Sequence, residues 1–342
     1  MSNKPRVLIV QTGGTFAMVK ADASRDSVTL ALAPEPLDLI AQVPTLASLA
    51  EIEPLPLFQL DSADMQPSHW ATLARVVHEA LSRPELAGVV IIHGTDTMAY
   101  SASALAFLLG PIPRPVVLTG AQRPLSDART DARSNLVDAV IAATLPVPEV
   151  AIAFGSRVLR GCRTAKVDAW AFDAFDSPGH PPLVDFGLGV AVAPHVRRAG
   201  VLGPLDDRLE TRVLAVRVFP GLDPRVVRGA LQTGIRGLVL EAYGTGNLPN
   251  LAKSSLIPAI EEASALDIPV LVVSQCARGH VELRRYEGGS AAADAGAIDG
   301  GDMTVEAAVA KLMVALGRHR RLEEVRRFLL ADLAGERTTS SP

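Results

Sequence analysis

Short apolar runs of strand length recur along this chain between amphipathic segments of helix length, and several of these runs end in polar turns containing glycine. That alternation restricts the fold. Near-continuous apolar strands are buried on both faces, as in a parallel sheet covered by helices. The predicted class is α/β. Arg6 to Val10 is the first predicted strand and runs into the corner Thr12-Gly13-Gly14-Thr15. Val89 to Ile92 ends in His93-Gly94-Thr95-Asp96-Thr97, and Met98 to Leu109 then has the residues of a packed helix. Val116 to Thr119 ends in Gly120-Ala121-Gln122-Arg123-Pro124. Ligands of open α/β sheets sit at the carboxyl ends of strands, so these three corners are expected to converge.

The 342 residues, at roughly 150 per domain, indicate two domains. We read a larger N-terminal α/β domain with a mainly parallel sheet over 1–195, a linker over 196–212, and a smaller C-terminal α/β domain over 213–342. Gly187, Gly189, Pro194, Gly200, Gly203 and Pro204 punctuate the stretch after Asp185 as a connector would. In the second domain Val213 to Val218, Gly237 to Leu240 and Val270 to Val273 are predicted strands. Leu256 to Ala265 and Val305 to Leu316 are predicted helices, the latter with Asp302 as N-cap, Glu306 in its first turn and Gly317 as its stop. The polar tail from Gly335 to Pro342 is expected to fray.

Composition excludes several classes of function. With Lys+Arg 33 against Asp+Glu 37 the net charge is −4, so no general positive field exists to hold a phosphate backbone, and nucleic acid is not the expected partner. The two cysteines, Cys162 and Cys276, provide neither a disulfide framework nor metal spacing, and both are expected to be reduced, buried thiols. The apolar run Val7 to Val10 is too short for a signal-peptide core, which predicts a cytoplasmic protein. No stretch approaches the ~18 to 20 apolar residues of a membrane helix.

The corners carry the chemistry. Thr15 on a Gly-Gly turn has an exposed hydroxyl beside accessible backbone N–H groups, which suits a nucleophile, a phosphate-cradling turn or a plain tight turn. The GxxxxGK[ST] and GxGxxG spacings are absent, which disfavours nucleotide binding. Thr95, Asp96 and Thr97 put two hydroxyls around a carboxylate, or they cap the following helix. His93 reads as a packed histidine, Asp61-Ser62-Ala63-Asp64-Met65 as an acidic turn, and Lys166 as a surface lysine. No serine-hydrolase, zinc-protease or kinase signature occurs. A hydroxyl nucleophile, a Thr-Asp pair and a Gly-Ala-Gln corner of N–H donors together suit acyl transfer at a carbonyl, with a carboxylate to bind an ammonium group.

These motifs resemble those of the bacterial L-asparaginase family. The likeness covers TGGT, Asp61 to Met65, HGTDTMAY at His93 to Tyr100, TGAQRP at Thr119 to Pro124, Lys166, Tyr243-Gly244-Thr245-Gly246-Asn247 and GGDMTVEA at Gly300 to Ala307. It spans nearly the whole chain, and the wording HGTDTMAYSASAL, Phe219-Pro220-Gly221 and Ser274-Gln275-Cys276 is similar to the cytoplasmic type I branch. The resemblance implies that 1–195 is the catalytic domain, that Thr15 attacks the side-chain amide carbon of asparagine, and that Thr95, Asp96 and Lys166 serve proton transfer. It further implies that Ser62 and Asp96 hold the substrate's α-carboxylate and α-ammonium, and that the N–H groups of Thr95 and Ala121 form the oxyanion hole. Asn247 would come from a neighbouring subunit of a homodimer or homotetramer. No cofactor and no metal is implied.

The chain departs from the family in three places. Family members carry a tyrosine on a lid shortly after the nucleophile, whereas the stretch Ala17 to Pro36 has none and offers Lys20, Asp22, Ser24, Arg25, Asp26 and Ser27. Ala63 stands where secreted members have a glutamine that helps bind the substrate amino group, which implies weak or no glutaminase activity. Glu241 replaces a basic residue of the effector site found in some type I members, near Thr164 and Cys276. Two alternatives follow: a catalytically weak asparagine- or aspartate-binding sensor, and an amidotransferase subunit acting on misacylated tRNA.

Overall fold

The computed structural model describes residues 4–20, 30–32 and 37–338. The chain divides into two compact units, Met1–Leu205 and Asp206–Pro342, with the boundary inside the 196–212 stretch. The first unit contains β1 (Arg6–Gly13), β2 (Met18–Lys20), β3 (Leu30–Leu32), β4 (Glu51–Leu60), β5 (Leu86–Ile92) and β6 (Val116–Thr119). Next come β7 (Val150–Phe154), β8 (Arg157–Arg160), β9 (Ala165–Lys166), β10 (Phe175–Asp176), β11 (Val184–Phe186) and β12 (Val190–Val192). An eight-stranded sheet runs in the order β12-β11-β8-β7-β6-β5-β1-β4. Strands β4, β1, β5, β6 and β7 are parallel.

Burial follows from that position. All residues of β6 and β7 are buried, whereas the edge strand β12 is exposed throughout. The helix Met98–Leu109, between β5 and β6, buries every residue except Tyr100, so it lacks a polar face and lies inside the unit. The helix Pro67–Leu81 instead buries the stripe Trp70, Leu73, Ala74, Val77 and Leu81. The sheet is mainly parallel, as expected, and one expectation changes at its edge. β8, β11 and β12 continue the sheet antiparallel, and Gly187 to Gly189 is the turn of the β11–β12 hairpin, with Gly187 N–H donating to Gly189 O at 3.0 Å. That part of the Gly/Pro-rich stretch belongs to the first unit's sheet and is no connector.

The second unit holds β13 (Val213–Arg217), β14 (Gly237–Ala242), β15 (Val270–Ser274) and β16 (Ile298–Asp299), parallel in that order. Separate apolar clusters pack around Leu240 and Val272 and around Val239 and Leu271, alternate residues of β14 and β15 pointing to opposite faces. Thr304, not Asp302, caps the helix Val305–Arg318, its Oγ1 accepting from Ala307 N at 3.2 Å. Asp302 instead receives the Thr338 N–H at 2.8 Å and its hydroxyl at 2.6 Å. The helix runs through Gly317, where a Cβ would lie 2.5 Å from Arg208 O, so this glycine serves close packing and is not a stop. The tail through Thr338 is docked where fraying was expected, while 339–342 lie outside the described residues. Cys162 is buried, but Cys276 is exposed, against expectation. Among the described residues no helix is long and apolar enough to cross a membrane.

Candidate active site

The carboxyl ends of β1, β5 and β6 meet because glycines let backbone touch backbone. Gly13 and Gly14 have φ of 100° and 77°, in the region that favours glycine. A Cβ on Gly14 would collide with Gly94 Cα, one on Gly120 with His93 O, and one on Gly94 would lie 2.5 Å from Ser62 Oγ. Thr12 Oγ1 donates to Ile92 O at 2.9 Å and locks the ends of β1 and β5. The corners TGGT and HGTDT, the Gly-Ala-Gln corner and the turn at Ser62 are thus one packed group.

Within it the polar side chains form a directed network. Lys166 Nζ donates to Thr95 Oγ1 at 2.8 Å and to Asp96 Oδ1 at 2.7 Å. The Lys166 and Asp96 side chains are 21% and 63% exposed, so solvent reaches the pair. Thr95 is buried, and its hydroxyl donates to Gln122 Oε1 at 3.3 Å. Ser62, also buried, accepts from Asp96 N at 3.3 Å through Oγ and from Thr97 Oγ1 at 2.8 Å through its carbonyl. Thr97 thereby spends its hydroxyl on Ser62 and makes no side-chain cap to the helix it precedes.

Ala121 is fully buried on the third corner. Among the described residues, none accepts from the backbone N–H of Thr95 or of Ala121. The corner itself is rigid: Asp131 accepts from Gln122 N at 2.9 Å and from Arg123 N at 3.1 Å, and Asn135 Nδ2 donates to Gly120 O at 3.0 Å. Thr15 opens a one-turn 3₁₀ helix, Thr15–Ala17, and is half-buried. Its hydroxyl makes no hydrogen bond among the described residues, and its corner adjoins the network through the Gly14–Gly94 contact and the Gly14 N–H that donates to Leu60 O at 2.8 Å.

His93 is fully buried, its Nδ1–H donating to Gly94 O at 2.7 Å while Nε2 finds no partner among the described residues. Burial pushes its pKa down to about 4, against the opposing pull of the Gly94 carbonyl, so the ring is a neutral packing element, as its sequence context suggests. Asn247 belongs to the second unit. It is exposed on a turn where Gly244 and Gly246 have positive φ, and its Oδ1 accepts from Leu248 N at 3.1 Å. The structure therefore brings Ser62, Thr95, Asp96, Ala121 and Lys166 together with Thr15 beside them. The lid residues Asp22, Ser24, Arg25, Asp26 and Ser27 lie outside the described residues.

Sequence reasoning does not single out Gln122, Asp131 and Asn135. Gln122 stands in view inside Gly120-Ala121-Gln122, but its partners are not readable there.

A family model for the asparaginase N-terminal domain matches residues 6–197, and one for the glutaminase/asparaginase C-terminal domain matches residues 212–329. The chain belongs to the asparaginase family. It is 36% identical to L-asparaginase 1 of Escherichia coli strain K12, over 98% of either chain. The solved structure of the thermostable L-asparaginase from Thermococcus kodakarensis matches with a TM-score of 0.88 at 38% identity, covering 98% of this chain and 100% of that one. A glutamyl-tRNA(Gln) amidotransferase subunit from Pyrococcus horikoshii is 36% identical over 98% of this chain and 77% of its own length.

Proposed function

We propose that this asparaginase-family protein hydrolyses L-asparagine to L-aspartate and ammonia through a β-aspartyl ester on Thr15. The carrying observation is the contact of Lys166 with both Thr95 and Asp96 beside the TGGT corner. Thr15 Oγ forms a bond to the side-chain amide carbon, and its proton passes to the Thr95, Asp96 and Lys166 group. Unshared N–H groups of Thr95 and Ala121 hold the oxyanion. The group returns the proton to the amide nitrogen, the C–N bond breaks, and ammonia leaves. Water then adds to the ester carbon, its proton goes back to Thr15 Oγ, and aspartate departs. Ser62 holds the substrate α-carboxylate and Asp96 its α-ammonium. Asn247 from a neighbouring subunit completes the site of a cytoplasmic homodimer or homotetramer. The cycle needs neither metal nor cofactor.

The test is ammonia release from L-asparagine and L-glutamine by the wild type and Thr15→Ala. Turnover of asparagine well above glutamine, abolished in a folded Thr15→Ala, supports the proposal. Activity retained in the variant sinks the role of Thr15, and binding without turnover by the wild type turns the protein into a sensor. The Pyrococcus relative motivates one further reading, ammonia supply to an amidotransferase, which requires that turnover rise when misacylated tRNA and a partner protein are added.

A further inference from the structure

The strand pair that carries Lys166 stands outside the eight-stranded sheet. β9 and β10 share only two residue pairs, Lys166 with Phe175 and Ala165 with Asp176. So short a ladder does not hold a side chain to a fraction of an ångström by itself. The tip of the hairpin is closed by Val167 N donating to Ala174 O at 2.8 Å. Asp168 Oδ1 receives Trp170 N at 2.6 Å and Ala171 N at 2.8 Å. The base of the hairpin is tied to the sheet: Arg157 donates to Phe175 O at 3.1 Å and to Asp176 Oδ1 at 3.3 Å, and the Phe175 ring packs on Phe154. At the tip, Gln122 Nε2 donates to Ala171 O at 3.1 Å, while the same amide's Oε1 accepts from Thr95.

We propose that Gln122 is a positioning residue that fixes the Lys166 hairpin and the direction of the Thr95 hydroxyl at once. The inference rests on the asparagine-hydrolysing reading given above. A hydroxyl has one proton and two lone pairs, and an ammonium group only donates. Lys166 therefore occupies one lone pair of Thr95, and Gln122 Oε1 takes the proton. What remains on Thr95 is a single lone pair, so any third group, the nucleophile or a water, meets an acceptor there and never a competing donor. The backbone of Gln122 is held through Asp131, so this orientation is inherited from a rigid corner. The Gln122 amide supplies an acceptor for Thr95 and a donor for Ala171 at once. A methionine of similar shape supplies neither, and a glutamate supplies only the acceptor.

The test joins kinetics to amide hydrogen exchange. In Gln122→Met kcat should fall about tenfold, the rate equivalent of one ordinary hydrogen bond, with KM within about twofold of wild type. Exchange at Val167, Trp170 and Ala171 should rise about tenfold while the core strands stay protected. In Gln122→Glu exchange should rise equally, but kcat should recover several-fold over Gln122→Met because Thr95 keeps its acceptor. Wild-type kcat in folded Gln122→Met overturns the proposal, as does a change confined to KM or unaltered exchange at the hairpin. Should the wild type itself fail to turn over asparagine, the functional reading falls, and the exchange comparison alone decides whether Gln122 holds the hairpin.

Discussion

Two lysine–carboxylate pairs, one in each unit, use the same chemistry to opposite ends. Lys166 and Asp96 meet at 2.7 Å with both side chains open to solvent, and the lysine shares its charge with a hydroxyl. Lys311 and Glu336 meet at 2.5 Å with both side chains wholly buried. Lys311 spends its remaining donors on the carbonyls of Leu329 and Ala331, and Glu336 also receives the N–H groups of Leu333 and Ala334. Burial pushes the Lys311 ammonium below the usual lysine range, with the Glu336 charge pulling the other way. A pair closed on every side pins a chain segment. A pair left open beside a hydroxyl has capacity to spare for a substrate.

Two methionine substitutions separate the two pairs. Lys166→Met should cut asparagine turnover on the order of 10⁴-fold, about 5 kcal/mol of barrier. It should move the urea midpoint little, because an exposed pair adds little stability. Lys311→Met should leave kcat of the folded fraction intact while costing about 3–5 kcal/mol of stability, since Glu336 is then a buried charge without its counterion. Adding Glu336→Leu to Lys311→Met should recover part of that loss, because removing both charges is far cheaper than removing one. Equal effects of the two lysines on turnover and on stability would erase the distinction.

Acid should separate the units more gently. His93 is held neutral behind the HGTDT corner with its pKa at about 4, whereas an unperturbed histidine titrates near 6.5. The unfolded chain thus binds the proton more readily than the folded one, so stability is complete above pH 6.5 and is lost as pH falls toward 4. The difference between about 6.5 and about 4 corresponds to about 3 kcal/mol. Urea midpoints followed from pH 7 to 4 should show that slope, and His93→Gln should flatten it. An unchanged slope in the variant would mean that other groups govern acid unfolding.

Elements buried on both sides were the most legible in the sequence. The helix Met98–Leu109 and the strand Val116–Thr119 fall where apolar runs bounded by glycine placed them, because burial itself leaves that pattern. The antiparallel edge was invisible, since β8, β11 and β12 are too short for periodicity to reveal direction. At the site the glycine corners were readable from backbone need, whereas Lys166 was legible only through resemblance. Gln122 was missed because its partners lie 27 and 49 residues away and nothing local marks them. Lys311 did leave a signal: it falls among Ala307, Ala308, Leu312 and Ala315 on the buried face of its helix.

The smallest expected effect concerns what keeps the buried pair buried. Thr304 caps the helix that carries Lys311, so Thr304→Ala should cost about 1 kcal/mol in the second unit, the usual worth of such a cap. Asp302 makes no cap and holds the tail through Thr338 instead. Asp302→Ala should therefore leave amide exchange in the helix at its wild-type rate while speeding it at Leu333 and Ala334, whose N–H groups Glu336 holds. If Asp302→Ala instead frays the first turn of the helix, Asp302 is a cap after all. The second pair would then owe its closure to the Lys311–Glu336 contact itself, with no help from the anchored tail.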